Sequence, residues 1–273
     1  MTPDREKLHL KACSQGDLTY SDPRTGYPVF TALALERRGD CCGCGCRHCP
    51  YGHQEVTPDE RAMLHRDPWI EGDLPKGPVD LLFWSGGKDS YLTLRALERE
   101  AARPTVLLTT FDGRSEQVAH QEVLVQEIRH QRKRLGCAQV LVPLFPGTGY
   151  MDRVLLGIQT LQFRTPVARL VFGDLHLDHV RTWREDAFSA CSDIASIPIH
   201  LPLWGVPYEE LLNDLESAPV QARVSAVADE SCAQVISVGD LFNRDLIARL
   251  PNGIDEFGEN GEFHSCIEFL PKT

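Results

Sequence analysis

Three stretches of this 273-residue chain carry side chains whose types and spacing could do chemistry. The first is Ser85-Gly86-Gly87-Lys88-Asp89-Ser90, directly after the apolar run Val79-Asp80-Leu81-Leu82-Phe83-Trp84. Two glycines let a backbone turn tightly and approach a ligand closely. The N–H groups opening a helix, at the positive end of its dipole, favour an anion. Ser85 and Ser90 can donate hydroxyls and Lys88 a point charge. A plain strand-to-helix turn would require none of Lys-Asp-Ser in register, and the spacing is not that of a Walker loop. The second stretch, Gly258-Glu259-Asn260-Gly261-Glu262-Phe263-His264-Ser265, offers two carboxylates and an imidazole able to move protons or orient an amine. Asp174, after Gly173 at the end of an apolar run, could contact a ribose or a magnesium ion, which prefers carboxylate oxygens and phosphates. The third stretch packs Cys41, Cys42, Cys44, Cys46 and Cys49 into nine residues.

The elements that must position these groups follow from hydrophobic pattern. From Val79 onward, strands and helices alternate. Strands are predicted at 79–84, 105–109, 139–142 and 168–172, and helices after the glycine turn through about Glu100, from near Ser115 to Gly136, over 151–163 and from Asp178. Repeated βα units imply an α/β fold with a parallel sheet covered by helices on both faces, and an α+β extension closes the chain. Ligands in such sheets bind beyond the carboxyl ends of the strands, where the first two stretches and Asp174 fall. Three regions result: a cysteine-rich domain expected to bind metal over 1–55, a proline-containing linker over 56–78, and an α/β domain carrying the anion-binding loop over 79–273.

The charge of −11 disfavours a partner recognised through its polyanionic field, so nucleic acid is not the expected ligand. The basic run Arg129–Arg134 reads as the solvated last turn of a helix. The N-terminus is charged and no apolar run follows that could serve as a signal or span a bilayer, so a cytoplasmic location without membrane contact is expected. Crowded cysteines in such a chain point to metal or redox chemistry rather than to a disulfide framework. Cys46 and Cys49 form a CxxC turn, Cys41 and Cys42 add thiols, and His48 or His53 could complete a zinc site; an iron–sulfur cluster is the alternative.

The hexapeptide Ser85–Ser90 resembles the pyrophosphate-binding loop of the PP-loop (N-type) ATP pyrophosphatases, adenine nucleotide alpha hydrolase-like proteins with a Rossmann-like HUP fold. Val171–Asp178 with Arg181 and Arg184-Glu185, then Pro202–Gly205, then Gly253–Ser265, resemble the diphthine–ammonia ligase type within that superfamily. Its usual Asp-Pro-Cys is here Asp255-Glu256-Phe257, and Ser265 stands for Thr. The resemblance implies ATP and magnesium as cofactors, cleavage to AMP and pyrophosphate, and adenylylation of a carboxylate that ammonia or an amine then captures. It places pyrophosphate at Ser85 to Ser90 and adenine near Thr109, Thr110 and Phe111, with Gly173 also at the nucleotide. Lys88, Asp89, Asp174, Glu259, Glu262 and His264 are the expected catalytic set. Diphthine–ammonia ligases act on a modified histidine of elongation factor 2.

The segment Tyr20–Tyr51 resembles a small uncharacterised bacterial cysteine-rich domain, in which Cys44 occupies a variable position; Cys41, Cys42, Cys46 and Cys49 are the expected metal ligands. A bacterial host would lack the elongation-factor acceptor, leaving an unidentified protein or small molecule as substrate. Two other readings stand beside the ligase: a sulfur-transferring tRNA enzyme using the cysteine-bound metal, and a non-catalytic nucleotide-binding module.

Overall fold

The computed structural model describes residues 3–23, 26–51, 53–57, 60, 67–118, 121–145 and 148–270. The chain begins with helix α1 (Pro3–Gln15), a two-stranded antiparallel ribbon of β1 (Thr19–Ser21) and β2 (Pro28–Phe30), and the short α2 (Ala32–Glu36), whose N-cap Thr31 accepts from Ala34 N. After β3 (Trp69–Glu71) the alternation begins: β4 (Val79–Phe83), α3 (Lys88–Glu100), β5 (Thr105–Asp112), the small hairpin β6 (Gln117–Val118) and β7 (Val123–Leu124), α4 (Val125–Leu135), β8 (Ala138–Leu144), α5 (Tyr150–Gln162), β9 (Val167–Val171), α6 (Asp178–Ser189) and β10 (Ile199–His200). The chain closes with α7 (Tyr208–Glu216), β11 (Val220–Val227), α8 (Arg244–Ile247) and β12 (Phe263–Phe269).

Strands β10-β9-β4-β5-β8-β3 form one six-stranded sheet, in that order. Its first five strands run parallel and β3 pairs antiparallel at the edge. Because side chains alternate across a strand, the apolar runs feed two cores. Leu81, Leu108, Val140, Val142 and Leu170 pack with Val154, Ile158 and Leu161 of α5. Leu82, Leu107, Leu141 and Val171 pack with Leu92 and Leu97 of α3, Ile128 of α4, Leu211 and Leu215 of α7, and the β11–β12 pair. Each such side chain contributes about 1.5–3 kcal/mol when fully buried. Helices therefore cover both faces, as the βα repeat requires. At the start of β4, Asp80 is buried and takes a paired hydrogen bond from Arg169, which also reaches Glu100 at 2.9 Å. That charge network sits at the end of the sheet opposite the glycine loop.

Three expectations need correction. The predicted linker contains a strand: Trp69–Glu71 continues the sheet beyond β8. The helix predicted from Ser115 begins only at Val125. Asp112 Oδ1 instead accepts from the backbone of Arg114 and Ser115 at 2.8 Å, Glu116 and Glu122 adopt positive φ, and Val118 and Val123 bury as a β pair. The C-terminal stop stands, with Gly136 left-handed at φ +70°. Finally, the basic run is not merely a solvated turn. Arg129 clasps Glu71 at 2.7 Å and fixes the edge strand, while Gln131 is buried beneath the glycine loop.

Candidate active site

The loop between β4 and α3 is closed by contacts that only glycine permits. Gly86 has φ +83°, and a Cβ there would lie 2.3 Å from Ile128 Cδ1. A Cβ on Gly87 would lie 2.8 Å from the Ser265 carbonyl oxygen. Gly87 caps α3 without a side-chain bond, so the helix start has only what the surroundings supply. Ser265 Oγ accepts from Lys88 N at 3.2 Å, and Ser85 Oγ accepts from Gly87 N at 3.3 Å. Ser90 Oγ donates to the Gly87 carbonyl at 2.9 Å. The Gly86 carbonyl accepts from Ile267 N at 2.9 Å and Gln131 Nε2 at 3.1 Å. The glycine loop and β12 are thus one structural unit.

Lys88 occupies a different position from the one its charge suggested. Its ammonium is buried, donates to the Phe257 carbonyl at 2.6 Å and to Asp89 Oδ2 at 2.9 Å, and lies 5.2 Å from the ring centres of Phe242 and Phe257. It ties the loop to the turn before β12. That turn holds itself: Asp255 Oδ1 accepts from Phe257 N at 2.8 Å and Glu259 N at 3.2 Å. Glu262 accepts from Asp255 N, Asn260 N and Asn260 Nδ2, each at 3.1 Å. Both Glu262 oxygens are employed in the loop, and Glu262 does not reach the cavity wall. Phe257, where the resembled family has cysteine, stacks on Tyr208 with ring centres 4.3 Å apart and walls in the Lys88 ammonium.

Two carboxyls at this junction, Asp89 and Glu259, both line the cavity. Burial, opposed by Lys88 and reinforced by Asp255, raises the Asp89 pKa; its Oδ1 is buried with no hydrogen-bond partner. Burial and the neighbouring Asp89 charge push Glu259 up to about 8, against Lys88 and a bond from Leu175 N at 3.4 Å. Behind them the Tyr208 hydroxyl donates to Asp255 Oδ2 at 2.7 Å, and burial raises its pKa.

A cavity of about 560 Å³ opens over the carboxyl ends of the parallel strands. Ser85, Lys88, Asp89, Ser90, Glu259, His264 and Ser265 form a polar part of its lining. Phe83, Leu108, Leu144, Phe172, Leu177 and Val180 form an apolar part, with Tyr150 and the half-exposed Trp183 beside it. Thr110 lines the cavity, but strand alternation sends Thr109 and Phe111 to the other face. Thr109 donates to the Trp84 carbonyl and Phe111 packs edge-on against Trp69, so neither adjoins the cavity. Gly173 lines it where a Cβ would meet Thr93 Oγ1 at 2.8 Å and Asp89 O at 3.0 Å. Asp174 also lines it, in a two-bond pair with Arg184, whose guanidinium covers the Phe172 ring at 4.2 Å.

The thiols form two close pairs, Cys42 with Cys46 at 3.4 Å and Cys41 with Cys49 at 3.9 Å. Among the described residues, no three His, Cys, Asp or Glu side chains are gathered as they stand around a point that could hold an ion. Neither candidate histidine turns toward the sulfurs' pairs. His48 stacks on His9 with centres 3.7 Å apart and meets the Tyr20 hydroxyl at 2.9 Å, and His53 Nε2 lies 2.8 Å from the Cys46 carbonyl.

Residues 8–55 match the model of a family of unknown function, DUF5522. The match covers the cysteine-rich segment and stops before β3, so it describes none of the residues around the cavity. No described helix is long and apolar enough to cross a membrane.

Four residues of the site escaped the sequence reading: Gln131, Tyr150, Trp183 and Tyr208. Gln131 had a legible signal, since it lies three residues after Ile128 and four before Leu135 on the apolar stripe of α4. A polar residue on such a stripe needs a buried partner. The other three converge only through tertiary packing.

Proposed function

We propose that this protein is an ATP-dependent, AMP-forming ligase of the PP-loop type, resembling diphthine–ammonia ligases. The observation that carries the reading is the joint between the Ser85–Ser90 loop and the Gly258–Ser265 segment, at the polar part of a cavity whose other lining is apolar. A nucleotide has matching chemistry, an anionic chain and a flat, weakly polar base. Its phosphates would sit at the helix start and its base against the apolar lining near Thr110 and Tyr150. The central position of β4, with β5 and β8 on one side and β9 and β10 on the other, is the doubly wound order that places such a crevice at its switch point. This order supports the Rossmann-like HUP assignment.

The donor set fits a magnesium ion. Asp89 holds a buried oxygen without a partner, in the first turn of the helix that follows the glycine loop. One or two carboxylates with phosphate oxygens are what that ion takes. Bound there, it would neutralise charge developing on the phosphates. In the proposed reaction a substrate carboxylate oxygen bonds to the α-phosphorus while the bond to the β-phosphate oxygen breaks, and pyrophosphate leaves. Ammonia or an amine then bonds to the carbonyl carbon, AMP departs, and the proton lost from nitrogen passes to a base. In this reading Glu259, on the cavity wall, would accept it. Lys88 and Ser265 hold the loop in register.

The test is product identity. The full chain, incubated with ATP, magnesium and a carboxylate- and amine-containing metabolite mixture, should release AMP and pyrophosphate in equal amounts. ADP and phosphate as products, or ATP binding with no AMP under any mixture, would overturn the reading.

A further inference from the structure

The thiol cluster stands apart from the cavity, and its own geometry is informative. A tetrahedron with metal–sulfur bonds of about 2.3 Å has sulfur–sulfur edges of about 3.8 Å. The two thiol pairs, at 3.4 Å and 3.9 Å, lie close to that edge length. A disulfide would require about 2.05 Å. The pairing is not the one the CxxC turn suggests. Cys46 and Cys49 do not face each other; each meets one of the adjacent cysteines 41 and 42. Two neighbours in sequence cannot easily point at one another, but each can supply one corner of a shared polyhedron. Because Cys41 and Cys42 are adjacent, the two pairs share one stretch of backbone.

The backbone around them is tightly folded. Gly43 and Gly45 take left-handed φ of +70° and +64°, which turns the chain around the sulfurs, and a Cβ on Gly43 would press to 3.1 Å from the Glu55 carbonyl. His53 is held at the Cys46 carbonyl, and His48 stacks on His9 with its Nε2 at the Tyr20 hydroxyl and its Nδ1 buried without a hydrogen-bond partner; neither ring hydrogen-bonds a sulfur of the cluster. Cys44 is exposed and is occupied with the Cys42 carbonyl. Four sulfurs remain.

We propose that Cys41, Cys42, Cys46 and Cys49 together hold one thiophilic metal centre through four thiolates, without histidine. As they stand the four sulfurs are not gathered around one point, so binding requires the two pairs to close onto a common centre. With no open position, a zinc ion there would be structural, and an iron–sulfur cluster is the other centre four thiolates hold. The inference is independent of the ligase reading.

The experiment uses the full chain, purified anaerobically, with metal analysis and an absorption spectrum. One zinc per chain without colour identifies the ion, and iron with matching sulfide and visible absorption identifies the cluster; either supports the proposal. Each single Cys→Ser change at 41, 42, 46 or 49 should lower occupancy at least tenfold, while Cys44→Ser and His53→Gln keep it. Should the four variants fail to fold, the wild-type chain reconstituted with cobalt(II) decides. A tetrahedral spectrum with charge-transfer intensity for four thiolates, unchanged in His53→Gln, is expected. A chain without metal that also fails to take up zinc or iron, two disulfides by intact mass, or a mixed nitrogen–sulfur cobalt spectrum would overturn the proposal.

Discussion

The cysteine-rich region and the layered region solve the problem of holding a site in opposite ways. Among the described residues before Thr57, the buried apolar side chains are Ala12, Tyr20, Leu35, Cys41 and Val56, beside the buried polar groups His9, Asp22, Thr31 and His48. From Val79 onward, two continuous cores flank a six-stranded sheet. So small a core supplies little stability by itself, and small units of this kind draw on metals or cross-links. The larger region instead shapes its site with backbone. Glycines 86, 87 and 173 stand where a side chain would collide, and β12 bonds directly to the glycine loop. One region would be ordered by its ligand. The other is ordered in advance of it.

Substitutions can break this contrast. The largest effect is expected from Asp89→Ala, which removes the unpartnered oxygen and should lower AMP formation at least about 10²-fold, with the thermal midpoint lowered because the buried Lys88 ammonium loses its ion-pair partner. Retained turnover would remove the site from the cavity.

Glu259 sharpens the same point through pH. Burial lifts its carboxyl from 4.5 to about 8, so between those values the folded chain holds a proton that the unfolded chain releases. Its contribution to stability is fully present below about pH 4.5 and is lost as pH rises through 8. Glu259→Gln cannot titrate, so the midpoint of the natural chain should fall relative to that variant across this window. AMP formation in the natural chain should climb as pH passes through about 8, and the variant should lack that limb. Parallel pH profiles would exclude Glu259 as the base.

Smaller effects test the joint itself. Lys88→Met leaves Asp89 and the Phe257 carbonyl buried without their cation, and should cost roughly 3 kcal/mol in denaturant unfolding. An unchanged midpoint would mean that the ammonium is not the tie it forms here. Gln131→Leu removes bonds to Trp84, Gly86 and Ile267. It should cost about 1–3 kcal/mol and raise the KM for ATP more than it lowers kcat, since the loop is displaced rather than its chemistry removed. The smallest effect belongs to the other region: Cys44→Ser, exposed and outside both sulfur pairs, should stay within about 0.5 kcal/mol of the natural chain.

The sequence was most legible where a local rule and a global one agreed. Lys88–Glu100 follows an apolar strand and a glycine turn, and its helix lies where expected. Tyr150–Gln162 and Asp178–Ser189 likewise match their periodicity. Residues 115–124 misled because Val118 and Val125 are seven apart, a helical spacing that two β residues and a new helix start reproduce by coincidence. Trp69–Glu71 is too short for alternation to reveal, and exists as a strand only because β8 offers an open edge. The family resemblance puts Phe111 at the nucleotide; the two-residue period turns it away and leaves Thr110 at the cavity.

By itself the sequence determined the order of the four strands β4, β5, β8 and β9 and the helices that alternate with them, the parallel layering they entail, and the residues whose chemistry suits an anion or a soft metal, because these depend on local periodicity and side-chain chemistry. Tertiary structure alone decided which of those groups meet. It turned Lys88 inward to the Phe257 carbonyl, withdrew Glu262 into its own loop, brought Glu259 and Asp89 to one cavity, and paired Cys42 with Cys46 rather than Cys46 with Cys49. Those outcomes turn on burial and on contacts between residues far apart in the chain, such as Lys88 and Ser265, 177 positions apart, and no local spacing encodes them.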